Sequence, residues 1–188
     1  NVSKKVYDLT KDKDMKFVRK IAVLIEYLKL IKKKEYNMDK YDDKKKEIEI
    51  KSSIVSEDEK ETGIRALLNF GHTFGHAIEL IGDYKEYNHG EAVALGIISA
   101  LKLSQMTEHL SAKEVERIHS IFFKAGIGTK TKKEINPEAL YSAMQSDKKK
   151  QGKELNFIVL EKIGKAKKIN GLSKETVLKS IKTSLLPS

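Results

Sequence analysis

The sequence predicts a mainly α-helical domain with one small β-hairpin. Apolar residues recur at helical spacing through most of the 188 residues, and capping residues stand where predicted helices begin. One stretch near the C-terminal end alternates between apolar and polar residues, which is typical of a strand. Because there is no repeat and no low-complexity linker, we expect a single domain over residues 1–188.

The predicted helices begin near the N-terminus. Residues 14–36 place apolar side chains at helical spacing, and residues 43–62 form a charged helix with a few isoleucines as its apolar contribution. Two further helices begin near Ile64 and Gly90, and the glycine at position 82 and the asparagine at position 88 predict the break between them.

Capping patterns locate the later elements. Residues 111–114 form a capping box ahead of a helix, and Asn136 with Pro137 opens another that we expect to end at about Ser146. Residues 155–160 and 166–169 are predicted to pair as a hairpin. A last helix follows from Ser173 to near Leu185. The body is therefore helical from end to end except for that hairpin.

A polar stripe marks the helix predicted from Ile64. At about 100° per residue, five side chains lie within an arc of about 80°, and apolar residues fill the rest of the circumference. A helix that is apolar over most of its surface is normally buried. Its polar stripe must then face an interior cavity, a ligand or a metal. The stripe consists of Arg65, Asn69, His72, His76 and Glu79.

Three histidines are concentrated in this region. His72 and His76 are four residues apart, so they share a helix face, and His89 opens the next apolar helix. One histidine from each of two packed helices is a suitable layout for a metal ion. The alternative is that they are core histidines paired with carboxylates or backbone carbonyls. The density of histidines beside an asparagine and an arginine favours a site.

Composition limits the partners. The net charge of +10 first suggests nucleic acid, but 34 of the 37 basic residues are lysines spread along the chain, which is typical of solvated helix faces. We therefore predict an anionic small substrate and no nucleic acid. The absence of cysteine excludes disulfides, thiolate metal sites and a cysteine nucleophile. No apolar run approaches about 18 residues, so we expect no membrane contact and a cytoplasmic location.

The region of the histidines resembles the signature of 3-dehydroquinate synthase. The resemblance is carried by residues 68–79, which read LNFGHTFGHAIE, and by residues 89–96, which read HGEAVALG. It extends over roughly residues 45–185. The resemblance implies a shikimate-pathway enzyme with a Rossmann-like NAD-binding domain and a helical domain that binds metal and substrate. This chain resembles only the helical domain, so the NAD-binding domain is expected as a separate partner, in a homodimeric full-length enzyme.

The resemblance also implies roles for individual residues. His72 and His89 match metal-ligating histidines, with Glu26 as the third ligand, for Zn²⁺ or Co²⁺. His76, Lys29 and Arg65 match catalytic positions, His76 as a proton carrier. The implied reaction converts 3-deoxy-D-arabino-heptulosonate 7-phosphate to 3-dehydroquinate and phosphate, with NAD regenerated in the cycle. Substrate-binding positions are matched by Lys51, Arg65, Asn69, His76, Lys148 and Lys149.

The N-terminal part departs from the family pattern. Glu26 and Lys29 keep a Glu-x-x-Lys spacing, but the Tyr-Gly pair that follows in the family is absent, and an ungapped alignment places Leu24 at the ligand position. Glu26 and Lys29 could equally be an ordinary pair on a solvated helix face. Three alternatives for the whole chain follow: a degenerate non-catalytic module with the same fold, another sugar-phosphate cyclase, and a domain like that of iron-type alcohol dehydrogenases.

Overall fold

Five helices and one antiparallel hairpin make up the part of the chain that the structure describes. The structure is a computed structural model, and it describes residues 69–108, 110–124, 127–150, 154–163, 165–185 and 187. The predicted helices over 14–36 and 43–62 lie outside these residues. In chain order the elements are α1 His72–Ile81, α2 His89–Thr107, α3 Ala112–Lys124, α4 Pro137–Lys150, β1 Phe157–Lys162, β2 Lys165–Ile169 and α5 Lys174–Ser184.

Helix α2 is the centre of the fold. It contacts α1, α3, α5 and β1, and nearly every side chain from Gly90 to Ser104 is buried. This agrees with the all-round apolar pattern, because a helix without a polar face must be covered on every side. Around it the core is built mainly from aliphatic side chains, with Phe70, Phe74, Phe122 and Phe157 among the buried aromatic rings.

Helix α1 begins later than the sequence predicts. Gly71 has a φ of 81°, in the left-handed region, and serves as the N-cap of α1, so α1 starts at His72, while the predicted start near Ile64 lies outside the described residues. A Cβ atom on Gly71 would lie 2.6 Å from the backbone nitrogen of Ile97. The close approach of α2 therefore requires glycine here, and glycine permits the turn. The prediction of one helix running through position 71 was wrong.

Glycines also bring α1 and α2 unusually close together. A Cβ atom on Gly96 would lie 2.2 Å from the carbonyl oxygen of Gly71 and 2.7 Å from the nitrogen of Gly75. Glycine inside a helix costs roughly 1 kcal/mol relative to alanine. The close approach of backbone atoms at positions 75 and 96 compensates this cost. The two helices that carry the histidines thus meet backbone to backbone.

The remaining elements cover α2 and agree closely with their capping patterns. Ser111 and Glu114 form the predicted contacts at the start of α3, and Asn136 accepts from Glu138 and Ala139 at the start of α4. Helix α4 continues four residues past the predicted end, to Lys150. The hairpin pairs Phe157 with Ile169 and Leu160 with Ala166, and α5 begins after the Ser173 cap. Among the described residues, no helix is long and apolar enough to cross a membrane.

Candidate metal centre

Three imidazole rings meet where α1 and α2 converge. His72 and His76 lie one turn apart on α1, and His89 is the first residue of α2. The ring centroids are 5.6 Å apart for His72 and His76, 5.7 Å for His72 and His89, and 5.8 Å for His76 and His89. The three ring centroids therefore form a nearly equilateral triangle.

A buried carboxylate completes this group. Glu79 lies one turn beyond His76 and is only 6% exposed, and its Oε2 is 2.9 Å from Nδ1 of His89. Three potential ligand atoms, one each from His76, Glu79 and His89, lie within 4.8 Å of one another. Within the described residues, this group could hold a metal ion. Imidazole and carboxylate groups from both helices thus converge on one small volume.

The geometry of the rings fits a single metal ion. Two imidazoles bound to one tetrahedral zinc have their centroids about 5 Å apart, given a Zn–N bond of about 2.1 Å. The pairwise separations of 5.6 to 5.8 Å are close to this value, and ligand atoms of His76 and His89 lie within 4.8 Å of each other. Nitrogen and carboxylate donors suit Zn²⁺ and Co²⁺ alike.

The loop before His89 is held by a segment distant in sequence. The hydroxyl of Tyr87, which is buried, accepts a hydrogen bond of 2.9 Å from the backbone N–H of Lys132. The ammonium group of Lys132 donates to the carbonyl of Glu86 at 2.6 Å and lies 3.3 Å from the Glu91 carboxylate. Asn88 and Glu91 form a full capping box around His89. The backbone that carries His89 is therefore anchored from both sides.

Exposure changes across the cluster. Glu79 is buried, His72 and His89 are half-buried, and His76 is exposed, as is Asn69 just before α1. The cluster therefore opens to the surface on the side of His76, where a substrate can reach it. In the loop before α2, hydrogen bonding to Glu86 raises the pKa of the exposed Lys133.

The structure brings together some of the predicted site residues. His72, His76 and His89 meet, with Asn69 in the turn that leads into α1. Lys148 and Lys149 belong to the end of α4, a helix that packs on α1, and their side chains lie outside what is described. The other predicted positions lie outside the described residues: Glu26, Lys29, Lys51 and Arg65.

Glu79 is the residue whose role the sequence did not reveal. It belongs to the predicted polar stripe, but spacing along one helix gives no information about a contact with the following helix. A signal was available, since Glu79 stands seven residues after His72 and three after His76 and thus shares their helix face. Only the folded chain places its carboxylate against His89.

Comparison with known sequences identifies the family to which this chain is similar. The family described as "3-dehydroquinate synthase C-terminal" matches residues 9–150. The chain is 42% identical to the 3-dehydroquinate synthase of Thermoanaerobacter pseudethanolicus over 73% of this chain and 38% of that protein. It is 48% identical to that of Nitrosomonas europaea over 63% of this chain and 32% of the relative. The chain thus spans well under half the length of these relatives.

Three solved structures share the fold of this chain. Two structures of 2-deoxy-scyllo-inosose synthase match with TM-scores of 0.58 and 0.59 at 27% and 26% identity, over 73% of this chain and 38% and 39% of theirs. One of them holds carbaglucose-6-phosphate, NAD⁺ and Co²⁺. 2-Epi-5-epi-valiolone synthase from Streptomyces hygroscopicus shares the fold, with a TM-score of 0.63 at 16% identity over 95% of this chain and 49% of that one. The chain belongs to the family of the C-terminal domain of 3-dehydroquinate synthase.

Proposed function

We propose that this chain is the metal- and substrate-binding part of a 3-dehydroquinate synthase. The reaction converts 3-deoxy-D-arabino-heptulosonate 7-phosphate to 3-dehydroquinate and phosphate, and it requires an NAD-binding domain, in a homodimeric cytoplasmic enzyme of the shikimate pathway. The observation that carries the proposal is the meeting of His72, His76 and His89 between two helices. Identity of 42% to a 3-dehydroquinate synthase, against 27% to a related cyclase, favours this member of the cyclase group.

In this proposal His72 and His89 bind the metal, with Glu26 as the third ligand. When bound, Zn²⁺ or Co²⁺ supplies Lewis acidity that makes a substrate hydroxyl easier to deprotonate. The two histidines are half-buried, so they hold their rings in a partly desolvated site where electrostatic interactions are stronger than in water. Their positions on two closely packed helices restrict the directions from which a substrate oxygen can approach.

His76 is suited to proton transfer because it is exposed while its ring lies next to both proposed ligands. An imidazole takes up and releases a proton near neutral pH, which phosphate elimination and ring closure both require. Lys29 and Arg65 complete the proposed catalytic group. Asn69, with both a donor and an acceptor on its amide, can orient a substrate hydroxyl at the mouth of the site.

Cationic side chains complete the substrate site in this proposal. Arg65 offers a two-pronged donor to a carboxylate or phosphate, and lysines offer compact positive charges for the same groups. The proposed lysines are Lys51 from before α1 and Lys148 and Lys149 from the end of α4. The overall charge of +10 favours the capture of an anionic sugar-acid phosphate.

Metal binding by the full chain is the first test. We expect one Zn²⁺ or Co²⁺ per chain, with His72→Ala, His89→Ala and Glu26→Ala each weakening affinity by more than about 100-fold, the upper end of losses from outer contacts. Isothermal titration calorimetry measures both quantities. His119→Ala, on α3 and away from the cluster, is the control and should bind as the parent does. Equal affinity in His72→Ala, His89→Ala and the parent would contradict the site.

Activity is the second test. The chain is joined to the N-terminal part of the Thermoanaerobacter pseudethanolicus relative, and phosphate release from 3-deoxy-D-arabino-heptulosonate 7-phosphate is measured with NAD⁺ and Zn²⁺. We expect turnover that His76→Ala lowers by about 100-fold or more, a typical loss for a general acid or base. A folded chimera that binds metal but releases no phosphate would support the non-catalytic alternative.

A further inference from the structure

We infer that Glu79 is a positioning residue that fixes the ring orientation and the tautomer of His89, so that Nε2 of this histidine is the atom presented to the site. The inference has two parts. The second, that Nε2 binds the metal ion, rests on the proposed function. The first, the state of the His89 ring, belongs to the metal-free protein and can be measured there.

The contact itself has the geometry of a hydrogen bond. Oε2 of Glu79 lies 2.9 Å from Nδ1 of His89, the usual length for an N–H donor and a carboxylate acceptor. An ionised carboxylate carries acceptors only, so the proton of this bond belongs to Nδ1. In a neutral imidazole the other nitrogen, Nε2, then keeps its lone pair.

Burial makes this contact hard to replace by water. Glu79 is 6% exposed, and a buried carboxylate without hydrogen bonds would cost several kcal/mol. His89 is half-buried, with 27% of its side chain exposed, so part of the ring remains accessible while its Nδ1 edge faces the interior. The carboxylate thus lies behind the ring, and the solvent side of the ring is left for a ligand.

The same distance argues that Glu79 does not itself bind the ion held by His89. Two atoms bound to one tetrahedral zinc lie about 3.4 Å apart, given bonds of about 2.1 Å. The separation of 2.9 Å between Oε2 and Nδ1 is shorter and matches a shared proton. A carboxylate that accepts from the far nitrogen of a ligating histidine is a recurrent way to orient that histidine.

The surrounding backbone supports this assignment. His89 is the first residue of α2, held by the Asn88 and Glu91 capping box, so its Cα position is fixed independently of Glu79. What remains free is rotation of the imidazole about its side-chain bonds, and the Glu79 carboxylate removes that freedom. The contact of Glu79 with His89 therefore bears on the orientation of the ring, while the capping box holds the backbone at the start of α2.

Nitrogen NMR of the metal-free, ¹⁵N-labelled full chain at about pH 8.5, where an ordinary imidazole is neutral, tests the inference. The His89 signals are identified by their loss in His89→Gln. We expect the proton on Nδ1 in the parent and in Glu79→Gln, whose amide oxygen still accepts it. In Glu79→Ala, Nδ1 should lose its predominance as the protonated nitrogen. Glu91→Gln removes a nearby charge without touching the ring and should match the parent.

Cobalt titration adds a second measurement. We expect Glu79→Ala to weaken Co²⁺ affinity by about 10- to 100-fold and Glu79→Gln by less than about 10-fold. A proton on Nε2 in the parent, an unchanged tautomer in Glu79→Ala, or a loss in Glu79→Gln as large as in His89→Ala would overturn the inference. Failure of the parent to bind Co²⁺ while Nδ1 is protonated would contradict the metal proposal and leave the role of Glu79 supported.

Discussion

Buried polar side chains occur on both sides of α2, and they are satisfied in different ways. Towards the hairpin and α5 they are hydroxyls that bond to nearby backbone or to one another. Ser104 donates to the carbonyl of Ala100 at 2.6 Å and accepts from the N–H of Leu160, and Ser99 pairs with Ser184 at 2.9 Å. Towards α1 the buried polar group is the carboxylate of Glu79, which contacts the half-buried His89 across the two helices, and His72 lies beside His89.

The hydroxyl groups serve packing, whereas the imidazole and carboxylate groups form the candidate metal centre. The hydroxyl of a serine in a helix can donate a hydrogen bond to the carbonyl four residues earlier, so a buried serine needs no ligand. On the side of α1, by contrast, ligand atoms of His76, Glu79 and His89 lie within 4.8 Å of one another. The two sides of α2 also differ in spacing, because glycines allow α1 to approach α2 backbone to backbone. Variants on the two sides of α2 should therefore differ in whether they change Zn²⁺ affinity as well as the free energy of unfolding.

The largest effect is expected from Gly96→Ala at the interface of α1 and α2. The new methyl group would meet the carbonyl of Gly71 and the nitrogen of Gly75, both backbone atoms, so the helices must separate. Overpacking of this kind typically costs about 1 to 3 kcal/mol of unfolding free energy, and we expect the upper end or beyond. The separation should also weaken Zn²⁺ binding, because His72 and His89 stand on the two helices.

Urea unfolding followed by circular dichroism measures the stability of Gly96→Ala. Gly128→Ala is the matched control, since a Cβ atom there meets nothing within 4 Å, and its change should stay within about 0.5 kcal/mol. Equal stability of the two variants would show that the helices tolerate a wider spacing, and the close approach would then lose its importance for the site.

An intermediate effect is expected on the opposite side of α2, from Ser104→Ala. The substitution leaves the N–H of Leu160 buried without its partner, which should lower the unfolding free energy by about 1 to 3 kcal/mol. Zn²⁺ affinity should not change, because this hydroxyl serves only the packing of β1. Calorimetric titration beside urea unfolding checks both. Weaker Zn²⁺ binding by Ser104→Ala, under conditions in which the variant is fully folded, would contradict the proposed difference between the two sides of α2.

The smallest effect is expected at the surface, from Glu114→Gln at the start of α3. Hydrogen bonds from Ser111, side chain first and then backbone, hold the pKa of Glu114 below its ordinary value of 4.5. Because the pKa of Glu114 is lower in the folded chain than in the unfolded chain, the carboxylate stabilises the fold at any pH above its unfolded pKa. This stabilisation is lost as the pH falls through its folded pKa. We expect a loss below about 0.5 kcal/mol at neutral pH, small because little of the group is buried. The loss should disappear once the pH is below the pKa of Glu114 in the folded chain.

Thermal unfolding as a function of pH measures the Glu114→Gln effect. Glu116→Gln, exposed on the same helix, controls for the removal of one negative charge. A difference that persists or grows at acid pH would contradict the role of Ser111 in holding this carboxylate.

Predictability from sequence differs between these elements for physical reasons. The starts of α3, α4 and α5 follow from Ser111, Asn136 and Ser173, because a cap acts within four residues. The break at Gly71 did not follow, since the contact with Ile97 that leaves no room for a Cβ atom at this glycine comes from a segment distant in sequence. The end of α4 was also missed, at Lys150 in place of Ser146, because no stop signal stands there.

The sequence by itself determined the helical character of this protein, its single hairpin, its family and the three histidines of its site, because periodicity, caps and a dense motif are all local. Tertiary structure decided which groups touch. Three contacts join residues from different parts of the chain: Glu79 with His89, the N–H of Lys132 with the Tyr87 hydroxyl, and Gly96 with Gly71. Such contacts depend on how helices pack, and packing is a property of the whole core that no local pattern records.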